Sequence, residues 1–324
     1  MRAGRPPSAK LARLKSFAFA MSSTAATPAS RLGGYLAAAG TVTIWAGFIL
    51  VSRFGGKSAL TPYDTLALRL STATLILLPF CRGLSLRVWR DPKLWTLAML
   101  GGLIYGVLAF AAFKFAPAAH GAILLPGMQP FLVALAAWAI TGSRPGRASL
   151  AGLAAIAVGI ACVATHYLAG GHGWTPDMLI GDALLLGSSS VWAIYSVLAR
   201  KWGCDPWTLT RFVALGSTVV FMPVYLLWLP KALTEVPLSM LLLQGLYQGA
   251  GVTIVAMLLF LKAVHILGAE RTGALVAMVP VLAGVAAAPL LDEALSGWLI
   301  AGLVCVSAGA FIAARPSAKR NGAR

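Results

Sequence analysis

Apolar runs of about twenty residues follow one another along almost the whole chain with only short breaks, and few folds accept that pattern. A helix needs about 20 apolar residues to cross roughly 30 Å of hydrocarbon. Runs of that kind fall at 32–52, 65–81, 94–116, 119–141, 149–169, 178–199, 207–229, 239–263, 270–291 and 296–314. Only 11% of the 324 residues are charged and 59% are hydrophobic, where a soluble protein carries roughly a quarter charged. Lipid must therefore be the solvent over most of the surface. Backbone groups in lipid have to be satisfied internally, which leaves helices or closed barrels, and runs this long are helical. The expected fold is an all-α integral membrane protein with about ten transmembrane helices. Two breaks are slight, at Pro117-Ala118 and at Ile266–Ala269, so a bundle of eight or nine is the alternative.

The formal net charge is +17, yet it does not point to nucleic acid. The basic residues gather in the tails and in some short loops, without the basic stripe and interleaved aromatics of a soluble binding face. With ten helices and a cytosolic N-terminus, only Arg53, Lys57, Lys114 and Lys231 fall on the outer side and Arg69 within a helix. The rest of the 26 basic residues fall on the cytosolic side. That asymmetry favours cytosolic N- and C-termini in a bacterial inner membrane. Residues 1–31 read as a basic, disordered cytosolic tail, since Arg13 and Lys15 interrupt the apolar stretch a signal peptide would need; Met21 is an alternative start. Residues 315–324 form a second basic tail. Cys81, Cys162, Cys204 and Cys305 show no metal-binding spacing and read as small buried hydrophobes plus one loop thiol.

The chain also repeats itself. Gly34, Gly40, Trp45, Ala46 and Arg53 recur as Gly181, Gly187, Trp192, Ala193 and Arg200. Gly102 and Gly106 recur as Gly245 and Gly249, and Pro130, Gly152 and Gly159 recur as Pro280, Gly302 and Gly309. The first series keeps a constant offset of 147 and the last one of 150. The halves are thus 32–170 and 171–314, each of five helices. An odd number of crossings sets the halves in the membrane with opposite orientation. Inverted repeats mark many secondary transporters, whose substrate site lies near the midplane where the halves meet.

Several short elements carry a family likeness. The segment Thr43-Ile-Trp-Ala-Gly-Phe48, the spacing from Pro62 to Arg69, the prolines Pro130 and Pro280, and Leu291-Asp-Glu-Ala-Leu-Ser296 with Glu293 together resemble two EamA domains of the drug/metabolite transporter superfamily. The resemblance covers about 32–314. It implies ten helices in two inverted repeats and the export of amino acids or other small metabolites. Two positions depart from the family pattern. Ser143 stands where the first-half counterpart of Glu293 is expected, and Asp292 replaces the usual glycine.

Polar and aromatic side chains at membrane depth are the candidate substrate contacts. They are Tyr105 and Gln129 in the first half, and Gln244, Tyr247 and Gln248 on one side of the eighth helix by their i, i+3, i+4 spacing. An unpartnered amide in hydrocarbon costs several kcal/mol, so these groups must face the bundle interior. Trp45, Trp192 and Tyr195 are candidate walls. For each residue, interhelical bonding is as good a reading as ligand contact. Pro126, Pro130, Pro280 and Pro289 fall inside helices, where each frees a carbonyl and bends the rod; Pro130 and Pro280 are the candidate gating kinks. Gly102/Gly106 and Gly245/Gly249 clear one face each for close helix packing. Arg69 is the one basic residue within a span, close enough to the outer surface to snorkel.

No Walker A element, HExxH or GxSxG occurs, and His120, His166, His172 and His265 form no constellation. No Asp or Glu lies mid-membrane in these spans, which tilts the expected substrate toward neutral, zwitterionic or anionic solutes. The reading is a non-enzymatic, alternating-access permease for a small metabolite. Its partners are a small-molecule substrate and the lipid bilayer, with no nucleic acid, cofactor or metal and with homodimerisation left open. The alternatives are an enzyme acting on lipid-type substrates, around Asp292, Glu293, His166 and His172, and a non-transporting membrane subunit.

Overall fold

A computed structural model describes residues 28–169 and 175–313. Most of the N-terminal tail with Met21, the C-terminal tail, His172 and the junction of the halves lie outside the described residues. The side chain of His166 does too.

With short helical pieces at Leu86–Trp89 and Leu233–Glu235 between them, ten longer helical rods follow one another among the described residues. They are α1 (Pro28–Lys57), α2 (Pro62–Leu77, running on as a tighter turn to Gly83), α3 (Pro92–Phe115), α4 (Ala118–Gly127 and Gln129–Thr141), α5 (Arg147–Ala169) and α6 (Pro176–Lys201). They continue as α7 (Pro206–Trp228), α8 (Leu238–Leu267), α9 (Ala269–Leu291) and α10 (Gly297–Ala313). Eight of these are long and apolar enough to cross a bilayer. The two parts of α4, bent by 40°, make a ninth if taken as one span, and α10 is an apolar helix of 17 residues. No strand occurs among the described residues. The outer surface is apolar, as in Leu75, Leu227 and Trp228, each about 70% exposed at 69%, 69% and 72%, which suits a lipid solvent.

The rods start and stop where local chemistry dictates. Thr61, Asp91, Thr175 and Asp205 each cap a helix that opens on proline, because the cap accepts an orphan N–H and proline has none to lose. Both slight breaks are real. Pro117 has extended backbone between α3 and α4, and Gly268, at φ +86°, separates α8 from α9. Asp292 ends α9 at φ +54°, and its counterpart Gly142 ends α4 at φ +75°. The left-handed cap therefore survives the loss of glycine, since aspartate tolerates that backbone better than most residues.

The halves relate as inverted repeats should. α5 and α10 pack antiparallel, backbone against backbone. A Cβ on Gly152 would stand 2.5 Å from the Gly309 carbonyl oxygen, and one on Gly159 would stand 2.7 Å from that of Gly302. Gly152 corresponds to Gly302 and Gly159 to Gly309, so the contact maps onto itself when the halves are exchanged. Likewise α1 packs on α8 and its counterpart α6 packs on α3.

The glycine pairs in α3 and α8 also serve close approach. A side chain on Gly102 would strike the Ser217 hydroxyl of α7, and one on Gly249 would stand 2.8 Å from the Arg69 carbonyl of α2. Both helices loosen into wide π-type turns around these glycines, at Met99–Ile104 and Gly245–Val255. Pro130 and Pro280 match as well. Each opens the helix that follows a break, at Met128 and Met278.

Candidate functional site

A cavity of about 580 Å³ lies between the halves. Trp45, Phe48 and Ile49 of α1, Arg69 of α2 and Tyr105 of α3 form one part of its wall. Pro126, Gln129 and Pro130 of α4, together with Trp192 and Tyr195 of α6, form another. Val252 and Thr253 of α8 and Val276 and Val279 of α9 complete it. The rings of Tyr105, Trp192 and Tyr195 make a continuous ladder, with centroids 4.9 Å and 5.0 Å apart. Trp45 leans on Phe260 at 5.3 Å. The amide of Gln129 is held by its nitrogen, which donates to the Ser189 carbonyl (3.1 Å) and hydroxyl (2.8 Å) of α6. The 40° bend in α4 falls between Gly127 and Gln129, within this wall.

The structure thus brings together Trp45, Tyr105, Gln129, Pro130, Trp192 and Tyr195. It puts Gln244, Tyr247 and Gln248 elsewhere, against α1. Gln244 donates to the Val51 carbonyl at 2.8 Å, Gln248 to the Ser52 hydroxyl at 3.0 Å, and Tyr247 to the Ile44 carbonyl at 3.3 Å. Gln244 and Gln248 are fully buried. Here they act as interhelical bonds, and Gly47 and Gly55 leave room for Tyr247 and Gln244. Pro280 is buried away from the cavity against Gly127. The main cavity residue that sequence reasoning left undecided is Arg69, whose guanidinium faces inward rather than snorkelling. Its carbon lies 5.8 Å and 6.0 Å from the ring centroids of Phe48 and Phe110.

The two ends of the cavity differ. At one end α1, α3, α4 and α9 are tied together. Arg53 donates to Glu293 at 3.0 Å and to the Phe113 carbonyl at 2.8 Å. Both Glu293 oxygens accept from the Ala118 N–H, at 2.8 Å and 3.1 Å. Lys57 donates to the Leu291 carbonyl at 2.6 Å and Lys114 to the Ser58 carbonyl at 2.8 Å. Nearby, Nδ1 of His120 pairs with Asp182 at 2.7 Å. Both oxygens of Glu293 are therefore engaged in holding these elements together.

At the other end the cavity wall runs out to Arg200, Thr210 and Ala313, on the last turn of α6, the fifth residue of α7 and the last residue of α10. Arg200 is the repeat counterpart of Arg53, and among the described residues its hydrogen bond is to the Ser196 carbonyl of its own helix, at 3.3 Å. Ser143, where the mirror image of Glu293 is due, bonds to Thr141 instead. Close to this end, burial and the neighbouring Asp91 push the Cys204 thiol above its ordinary value.

Known proteins give this arrangement a context. The family described as the EamA-like transporter family matches residues 32–165 and again 179–315. A protein of Ancylobacter novellus named aromatic amino acid exporter YddG is 26% identical over 193 residues, which are 59% of this chain and 66% of that protein. An uncharacterized transporter of Archaeoglobus fulgidus is 25% identical over 189 residues, 56% of this chain and 63% of its own. The match therefore spans a little under two thirds of these curated relatives. A solved crystal structure superposes on 88% of this chain and 96% of its own with a TM-score of 0.57 at 23% identity, a likeness of fold. With the family matched once in each inverted half, this multi-pass membrane protein belongs to the EamA-like transporter family.

Proposed function

We propose that this transporter exports a small amino-acid-like solute, neutral or zwitterionic, across a bacterial inner membrane by alternating access. Its termini are cytosolic, and its working units are the five-helix halves 32–170 and 171–314. The observation that carries this reading is the asymmetry of the cavity. It is tied shut at the Arg53–Glu293 end and runs out to Arg200 and Ala313 at the other, as one state of a rocking two-fold pair would be. Tyr105, Gln129, Trp45, Trp192 and Tyr195 hold the solute in this state.

Exchanging the halves places Gln248 where Tyr105 now stands, because these two are repeat counterparts. Gln244, Tyr247 and Gln248 then face the solute in the opposite state, and Pro130 and Pro280 are the hinges between the two. The aromatic ladder, and a relative named for aromatic amino acids, favour a solute with an aromatic or large apolar side chain.

The test is counterflow in proteoliposomes holding purified protein, using labelled tryptophan, phenylalanine and leucine. Saturable, protein-dependent exchange of at least one of them is expected. Folded protein that exchanges none of them would overturn the proposed solute class, and silence across wider panels of metabolites would overturn the export reading itself.

A further inference from the structure

Arg69 brings a full positive charge to the wall of the cavity at membrane depth, and its surroundings do not neutralise it. Its Nη1 is buried with no hydrogen-bond partner among the described residues. Among the described residues no Asp or Glu lines the cavity, and the only other charged group there is Arg200, also a cation. The flanking rings of Phe48 and Phe110 offer a weak attraction to the guanidinium, but they accept no proton. A buried charge without a counter-ion is costly, and inside membranes such groups mark the path of a ligand. The missing component is a negatively charged hydrogen-bond acceptor.

A second unmet group lies in the same cavity. Gln129 turns its nitrogen to the Ser189 carbonyl, which can only accept, so its Oε1 is fixed facing away, and that oxygen is buried without a partner among the described residues. One wall thus lacks an acceptor for Arg69 and another lacks a donor for Gln129, while the ladder of Tyr105, Trp192 and Tyr195 offers an apolar shelf.

We propose that Arg69 is the anchor for a carboxylate on the transported solute, with Gln129 Oε1 receiving that solute's ammonium group. The guanidinium fork matches a carboxylate with two parallel N–H donors. The solute supplies the counter-ion the cavity lacks, so the site selects against amines without a carboxylate. This rests on the transporter reading above and adds the chemistry that sets its selectivity.

The experiment is counterflow of labelled tryptophan in proteoliposomes, with competition by tryptophan, tryptamine (no carboxylate) and indole-3-propionate (no ammonium). In the wild type, tryptophan competes best, indole-3-propionate holds an intermediate place, and tryptamine is at least tenfold weaker. Arg69→Gln lowers the apparent affinity for tryptophan and indole-3-propionate by roughly a hundredfold and leaves that for tryptamine unchanged or improved. Arg69→Lys keeps the order of preference at reduced affinity.

Equal competition by tryptophan and tryptamine in the wild type overturns the anchor while leaving the transporter standing, and this arm needs no variant to fold. An unchanged tryptophan-to-tryptamine ratio in folded Arg69→Gln does the same. Absence of any exchange by folded wild-type protein overturns the aromatic-solute reading and the anchor with it.

Discussion

Replacing Glu293 by Gln tests whether the Arg53 end is a gate. The change keeps the size of the side chain and leaves one oxygen to accept the Ala118 N–H, but it removes the charge that Arg53 meets at 3.0 Å. The two side chains are 16% and 15% exposed. An exposed ion pair contributes about 0–1 kcal/mol, and removing one partner of a fully buried pair costs about 3–5 kcal/mol. This pair lies between, at roughly 2 kcal/mol. If it exists only in the state sealed at that end, its loss shifts the balance of states ~30-fold toward opening there.

The assay uses a cysteine at Phe48, in the cavity wall just below the gate, with Cys81, Cys162, Cys204 and Cys305 replaced. A membrane-impermeant maleimide added from the Arg53 side reads its exposure. Glu293→Gln should raise the labelling rate by about that factor, and the double exchange Arg53→Glu, Glu293→Arg should lower it again. A rate unchanged in Glu293→Gln would refute the gate. Ser143→Glu supplies the missing mirror partner near Arg200 and should also raise labelling from the Arg53 side, by stabilising closure at the opposite end.

Other consequences concern the scaffold. Gly159→Val forces side-chain volume into the α5–α10 seam, where even a Cβ would lie 2.7 Å from the Gly302 carbonyl; a loss of at least 1–3 kcal/mol is expected as a lower melting temperature in detergent. Asp64 is fully buried and accepts from the Tyr225 hydroxyl (2.6 Å) and the Ala232 N–H (3.0 Å). Asp64→Ala strands these two donors and also the Thr61 N–H and hydroxyl, which the same carboxylate accepts at 2.8 Å each, and should cost at least about 3 kcal/mol, seen as reduced yield of folded protein. Asp205 caps α7 through the Thr208 N–H at 2.8 Å, and Asp205→Ala should cost ~1 kcal/mol. That hydrogen bonding holds the Asp205 carboxyl below its ordinary value of 3.8. The stability contributed by Asp205 is therefore complete above about that pH and fades as pH falls below it; melting curves of wild type and Asp205→Ala should converge in acid, and a constant gap down to pH 2 would refute the role.

Much of the cavity lining was legible from residue type and repeat, and the exceptions share a cause. Tyr105 and Gln129 read as interior groups because polar atoms at that depth cannot face lipid, and both line the cavity. Gln244, Tyr247 and Gln248 read as interior by the same logic, and they are interior, but the interior they face is α1. Burial follows from depth and helical face. Whether the buried face meets a cavity or a neighbouring helix depends on which helix stands opposite. Tyr105 and Gln248 show this most directly, since they are counterparts in the repeat and only Tyr105 reaches the cavity. Arg69 was legible as a charge within a span. Its inward direction was not, because snorkelling needs only a long side chain, whereas facing inward needs a hollow to face.

By itself, then, the sequence determined the solvent, the secondary structure and the inverted duplication. Hydrophobic runs, caps, breakers and the repeat are local or periodic properties that carry over unchanged into the fold. The tertiary structure alone decided which end of the cavity is tied across by ion pair and hydrogen bonds, which member of each repeated pair lines it and where Arg69 points. Those depend on how the two halves lean on each other, and a symmetric repeat is equally compatible with leaning either way. In this structure Arg53 reaches Glu293, 240 positions away, whereas its counterpart Arg200 has Ser143 where the mirror acid is due.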